Sequence, residues 1–182
     1  LADVHGDVHA LQTALDQIDV QGIEHILCAG DLVGTGQFNE EVATLVRVRR
    51  IPYVRVNHDR WACGQGRPEE PYVDREDGLH DALGLGLSRE LLRFLSGLPA
   101  TLTVEIEDTR ILVCHGSPAI DMDAVFEDQV DKGDLRGMLD EVDADVLVLG
   151  HTHVPMRVEV VGGMVVNPGA LMRRGEGARA LI

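Results

Sequence analysis

The chain has 182 residues, 45% of them apolar, with a formal net charge of −15. That length and apolar content suit one compact globular domain over residues 1–182 with a sizeable core. The acidic balance argues against a general grip on DNA, RNA or anionic lipid, all of which need a basic face.

The opening "LADVHG" reads as a strand already under way, and the closing "ARALI" as another beginning, so both ends look trimmed. No secretory leader is visible, and no run of 18 apolar residues predicts a membrane span. Leu11, Ala14, Leu15 and Ile18 fall at helical spacing, as do Val42, Leu45 and Val46. Apolar runs at 25–30, 53–56, 111–114, 146–150 and 164–167 predict mostly buried strands. The stretch 60–87 is polar and Gly-rich, which predicts a long loop or lid. Ser88 reads as the N-cap of a helix "RELLRFL" that stops at Gly97 and Pro99. Residues 101–114 predict a hairpin turning at Asp108–Thr109, and 160–166 a second turning at Gly162–Gly163. A βαβαβ first half and an antiparallel-rich second half predict sheets inside and helices outside.

Polar residues gather where these strands end: Asp3 and His5, then Asp31, then Asn57, His58 and Asp59, then His115, then His151 and His153. Ligands of α/β sheets sit outside the carboxyl ends of strands. In extended backbone residues i and i+2 share a face, so Asp3 with His5, and His151 with His153, each present two groups to one point. Cys114 precedes His115 directly and is expected to face the core. Cys28, Cys63 and Cys114 are widely spaced, which suits reduced thiols in a cytoplasm rather than a disulfide framework.

A donor set of His, Asp and Asn without thiolate suits borderline divalent ions such as manganese, iron, cobalt or zinc rather than a Cys-rich structural site. There are more donors than one tetrahedral ion uses, so two ions are the better count. Two ions about 3.5–4 Å apart clamp the attacking and leaving oxygens of a phosphoryl displacement.

The order D-x-H, G-D, N-H-D, lone His and G-H-x-H resembles the calcineurin-like metallophosphoesterase superfamily, in its small single-domain prokaryotic branch. "LADVHGDVHAL", "GDLVG", "HGSP", "GHTHVP" and "VVNPG" carry the likeness across nearly the whole chain. The resemblance implies a two-sheet β-sandwich flanked by helices, four layers in the order αββα. It implies that Asp3, His5 and His153 hold one metal, that Asn57, His115 and His151 hold the other, and that Asp31 bridges them. His58 would contact the phosphate and protonate the leaving oxygen, with Asp59 hydrogen-bonded to it. The implied reaction is attack of a metal-bridging hydroxide on a small phosphodiester or phosphomonoester. A dinucleoside polyphosphate or a phosphoprotein suits the same core, and a non-catalytic metal-binding scaffold is the rival of a different class. The partners expected are therefore a small phosphoester, with no long nucleic acid and no membrane.

One position departs from the pattern. The family usually has Gly before Asn-His, whereas this chain has Val56. A β-branched residue prefers extended backbone, so the third strand is expected to run one residue further and shift Asn57. Taken singly, these residues have plain readings as strand-end histidines, helix caps and turn residues; five motifs in order outweigh them. His9, His25 and His80 belong to no motif and read as surface residues. Trp61 reads as packing or pocket lining, Arg60, Arg173 and Arg174 as plain solvated cations or, alternatively, contacts to a substrate phosphate, and Asn167–Pro168–Gly169 as a rigid supporting turn.

Overall fold

The computed structural model describes residues 1–67, 70, 85–172 and 179–180. Most of the 60–87 stretch, along with His80, Arg173 and Arg174, lies outside them.

Helix α1 (Val8–Gln21) starts where the Asp7 carboxylate accepts from the Ala10 amide, and it buries Leu11, Ala14, Leu15 and Ile18. Those four positions are the ones whose spacing predicted it. Helix α2 (Asn39–Val48) buries Val42, Ala43 and Val46. A short helix α3 (Asn57–Ala62) follows, where the sequence suggested only a loop. In α4 (Arg89–Ser96) the Ser88 hydroxyl caps the Leu91 amide and Gly97 ends the helix, as expected.

The apolar runs between these helices are extended and lie side by side. The Ala29 amide donates to the Leu1 carbonyl, Asp3 to Gly30, Cys28 to Pro52 and Val54 to Cys28. Segments 1–4, 27–31 and 52–56 thus form one layer. The strands β6 (Gly169–Ala170) and β7 (Arg179–Ala180) pair antiparallel, and the Leu171 amide joins them to this layer at the Ala2 carbonyl.

The second layer is a five-stranded sheet of β1 (Leu102–Ile106), β2 (Thr109–Val113), β3 (Val146–Val148), β4 (Met156–Val160) and β5 (Gly163–Asn167), ordered β1-β2-β3-β5-β4. Its centre, β2-β3-β5, is parallel, and a hairpin closes each side. Both hairpin turns fall one residue earlier than expected. Glu107 and Asp108 occupy the first with φ of 50° and 63°, and Val161–Gly162 the second, with Gly162 at 76°. A two-residue turn needs positive φ at its tip, and the first tip obtains it from acidic residues that do not announce it. Helix α5 (Lys132–Val142) covers this sheet. It went unread because Gly133 and Gly137 dilute its pattern, yet it buries Leu135 and Leu139.

Three apolar clusters mark the interfaces of a four-layer α/β domain. Leu11, Leu15, Val42 and Leu95 pack on Val4, Cys28 and Tyr53 of the first layer. Ala2, Ala29, Val54 and Val56 meet Val113 between the two sheets. Leu135 and Leu139 meet Leu147, Met156 and Val165. Burying such a side chain contributes roughly 1.5–3 kcal/mol. Cys114 is buried in the last cluster as expected, and burial pushes its thiol up to about 12. Among the described residues, no helix is long and apolar enough to cross a membrane.

Candidate metal centre

The loops that leave both sheets at one edge bring the polar residues together. Their backbone is not extended there. Asp3, His5, Asp31, His151 and His153 sit in the left-handed region, with φ of 52°, 46°, 51°, 68° and 60°. The i, i+2 argument therefore fails at its premise: Asp3 and His5 converge because their loop curls, not because a strand continues, and of the second pair only His153 joins them. Asp and His tolerate this conformation better than bulky residues, but it costs on the order of 1–3 kcal/mol each. Buried amides hold two of the loops. Asn167 Nδ2 donates to the Gly150 carbonyl at 2.6 Å and to Thr152 Oγ1 at 3.1 Å. Asn39 accepts from the Gly34 amide at 2.8 Å and donates to the Gly36 carbonyl at 2.8 Å. Asn167 was expected to have a supporting role; nothing in the sequence singled out Asn39.

At the centre, Asp31 Oδ2 lies 3.5 Å from His5 Nε2 and 3.3 Å from His115 Nε2. Asp3 Oδ1 lies 3.2 Å from His153 Nε2 and 3.8 Å from both His5 and His115 Nε2. His5 and His153 face one another at 3.1 Å through Nε2. His115 Nδ1 donates to the Ala29 carbonyl at 2.7 Å, which leaves Nε2 turned inward. Among the described residues, three groupings have the spacing to hold an ion: Asp3–His5–His153, Asp3–Asp31–His115 and His5–Asp31–His58. His151 is outside these groupings, with its ring 5.3 Å from that of His115.

Buried polar atoms normally have partners, and exceptions require a reason. Asp3 Oδ1, His5 Nδ1, Asn57 Oδ1, His58 Nδ1 and His115 Nε2 are buried without one. Their concentration in one cluster of carboxylates and imidazoles fits a divalent cation. Burial lowers the His5 pKa to about 4, leaving a neutral ring with a lone pair. Burial also lowers His115, but the facing Asp31 and Asp3 outweigh it and lift that ring to about 9.

The family model of the calcineurin-like phosphoesterase superfamily domain matches residues 1–182. The chain belongs to this superfamily. It is 26% identical to an uncharacterised protein of Methanocaldococcus jannaschii, covering 94% of this chain and 68% of that one. Its fold is similar to a metallophosphoesterase from Sphaerobacter thermophilus, at 25% identity and TM-score 0.71, covering 97% of this chain and 77% of the other. A hypothetical protein of Pyrococcus horikoshii gives a TM-score of 0.77 at 22% identity, covering 94% and 75%. Membership of the superfamily supports hydrolase activity and implies divalent metal ions, which the cluster described above fits.

Against the superfamily's pattern, Val56 has φ −132° and ψ −165°, the extended backbone expected for it, so no glycine is required. Gly30 makes room instead: a methyl group there would lie 2.4 Å from Val56 Cγ2. Asn57 follows as the first residue of α3, buried, and the His58 amide donates to Asp31 Oδ1 at 3.1 Å.

Asp59 corrects the sequence reading. It makes no hydrogen bond to His58; its Oδ1 accepts from the Leu32 and Val33 amides and its Oδ2 from the Val56 amide. The carboxylate stands three residues after the Val56 N-cap and reaches back to it, as in half of a capping box. Burial, with Asp31 near, pushes its pKa above the usual carboxylate range. Arg60 is a second correction. It is buried rather than solvated, and Glu70 and Asp121 clamp its guanidinium at 2.6 and 2.9 Å. Trp61 is packing: its ring lies 4.9 Å from that of His58, and its indole N–H donates to Glu70 at 2.8 Å.

Proposed function

We propose that this chain is a dinuclear metal-dependent phosphoesterase acting on a small phosphodiester or phosphomonoester. The observation that carries this reading is Asp31, whose one oxygen lies between His5 and His115 while its other accepts from the His58 amide. In this reading Asp3, His5 and His153 would hold one ion, Asn57, His115 and His151 would hold the second, and Asp31 would serve both. Manganese is the first choice of metal, followed by iron, zinc, cobalt or nickel. When bound, such ions supply positive charge to the phosphoryl oxygens and a nucleophile from water near neutral pH.

The chain's own residues do the rest. His115 donates Nδ1–H to Ala29, which fixes its tautomer and points Nε2 at the centre. His58 contacts the phosphoryl group and passes a proton to the leaving oxygen. Burial lowers its pKa, and the negative charge of a bound phosphoryl group would raise it again. Asp59 holds α3 in place and does not touch that proton. The acidic surface disfavours long nucleic acids. Free Cys28, Cys63 and Cys114 agree with a reducing, cytoplasmic setting.

The test is manganese-dependent hydrolysis of p-nitrophenyl phosphate and bis-p-nitrophenyl phosphate by chelator-stripped, reloaded protein. His58→Ala should keep its metal and lose about 10²–10⁴-fold in turnover. Undiminished turnover in that variant contradicts the acid role. Metal-loaded wild type inert on both esters favours the scaffold.

A further inference from the structure

A cavity of about 300 Å³ opens beside the cluster, and His5 lines both. Its other side chains have a consistent character. His9 and Phe38 stand edge to face with ring centroids 5.2 Å apart, and Met172 joins them. Thr35 and Gln37, both exposed, supply a hydroxyl and an amide. The loop that carries Thr35, Gln37 and Phe38 is braced against the site. The Gly36 amide bonds the His5 carbonyl at 2.7 Å, a methyl group at Gly36 would lie 2.2 Å from that oxygen, and Asn39 ties the loop down. This size and make-up, apolar rings with a few polar groups, is that of a small-molecule pocket.

We propose that this cavity receives a flat aromatic or heteroaromatic arm of the phosphoester whose phosphoryl group sits at the metal cluster. Aromatic faces and a thioether select a planar ring, and Thr35 and Gln37 complement ring heteroatoms. Only the phosphoryl half of this statement rests on the phosphoesterase reading.

Two diesters with the same leaving group test it: the p-nitrophenyl ester of thymidine 5′-phosphate and p-nitrophenyl ethyl phosphate. Base–aromatic stacking leads us to expect a wild-type kcat/KM ratio of about 10 or more in favour of the nucleoside ester. That ratio should fall about fivefold or further in Phe38→Ala and in His9→Ala, the latter an exposed residue whose loss spares the fold. Calorimetric titration of manganese-loaded wild type and both variants with the phosphonate analogue 5′-deoxythymidine 5′-phosphonate and with ethylphosphonate, whose P–C bonds do not hydrolyse, reads the same preference without catalysis. A ratio near one in the wild type, in kinetics and in binding, overturns the cavity's role while hydrolysis of both esters keeps the phosphoesterase. Selective binding of the nucleoside phosphonate that both variants lose, with no turnover of either ester, supports the cavity and overturns the phosphoesterase.

Discussion

Replacing Asp59 by alanine separates two roles that the residue's position beside His58 would otherwise confuse. The carboxylate is fully buried and accepts from three backbone amides, at 3.2 Å from Leu32, 3.3 Å from Val33 and 3.4 Å from Val56. A buried donor left without a partner costs about 1–3 kcal/mol, and bonds this long belong at the lower end, near 1 kcal/mol each. Relief from burying a carboxylate offsets part of the sum, so about 2 kcal/mol of stability should be lost. For a domain of this size that is a fall of about 4–8 °C in Tm. Thermal unfolding of metal-free wild type and variant, with a pH–rate profile of each manganese-loaded protein, reads both roles. The account expects a lower Tm and an unmoved profile. An unchanged Tm with a displaced profile would refute it, because Asp59 would then act through His58.

Val56→Gly should cost about 3 kcal/mol in denaturant unfolding, since it opens a cavity between the sheets over Gly30. Metal content should stay unchanged if extended backbone at 56 suffices for Asn57. Asn167→Ala frees the Gly150 carbonyl and the Thr152 hydroxyl from their shared donor, and should weaken metal binding about 10–100-fold in chelator competition. The Arg60, Trp61 and Arg67 partners outweigh the effect of burial on Glu70 and hold its carboxyl at about 2, below the ordinary 4.5. Because the folded-state pKa is depressed, its stabilisation is complete above about pH 4.5 and disappears as pH falls towards 2. The stability difference between wild type and Glu70→Gln, on the order of 2 kcal/mol near neutrality, should shrink across that window in urea titrations.

Residues whose chemistry is fixed by type were legible in the sequence. Asp3, Asp31, His115 and His153 follow apolar runs, and a strand end is where such groups can converge. Helices α1 and α4 were legible too, through apolar spacing in one and a Ser cap in the other. Backbone conformation was not. Nothing in Asp3, His5 or His153 states that φ is positive, because neighbouring loops impose it. The two glycines of α5 weakened a helical pattern that burial of Leu135 and Leu139 then enforces. Asp59 and Arg60 show why adjacency misleads: on α3, consecutive side chains diverge, and each found partners distant in sequence at Leu32 and Asp121. The His9–Phe38 pair was invisible for the same reason, since its rings meet only once α1 and α2 pack.

Metal stoichiometry tests the central claim most directly. Protein purified without chelator, and again after manganese reloading, should carry close to two transition-metal ions per chain by plasma mass spectrometry. Asp31→Ala, which removes the group placed between the two positions, should bring that number to one or below. One ion or none in reloaded wild type, or two ions retained in Asp31→Ala, would contradict a dinuclear centre built around Asp31.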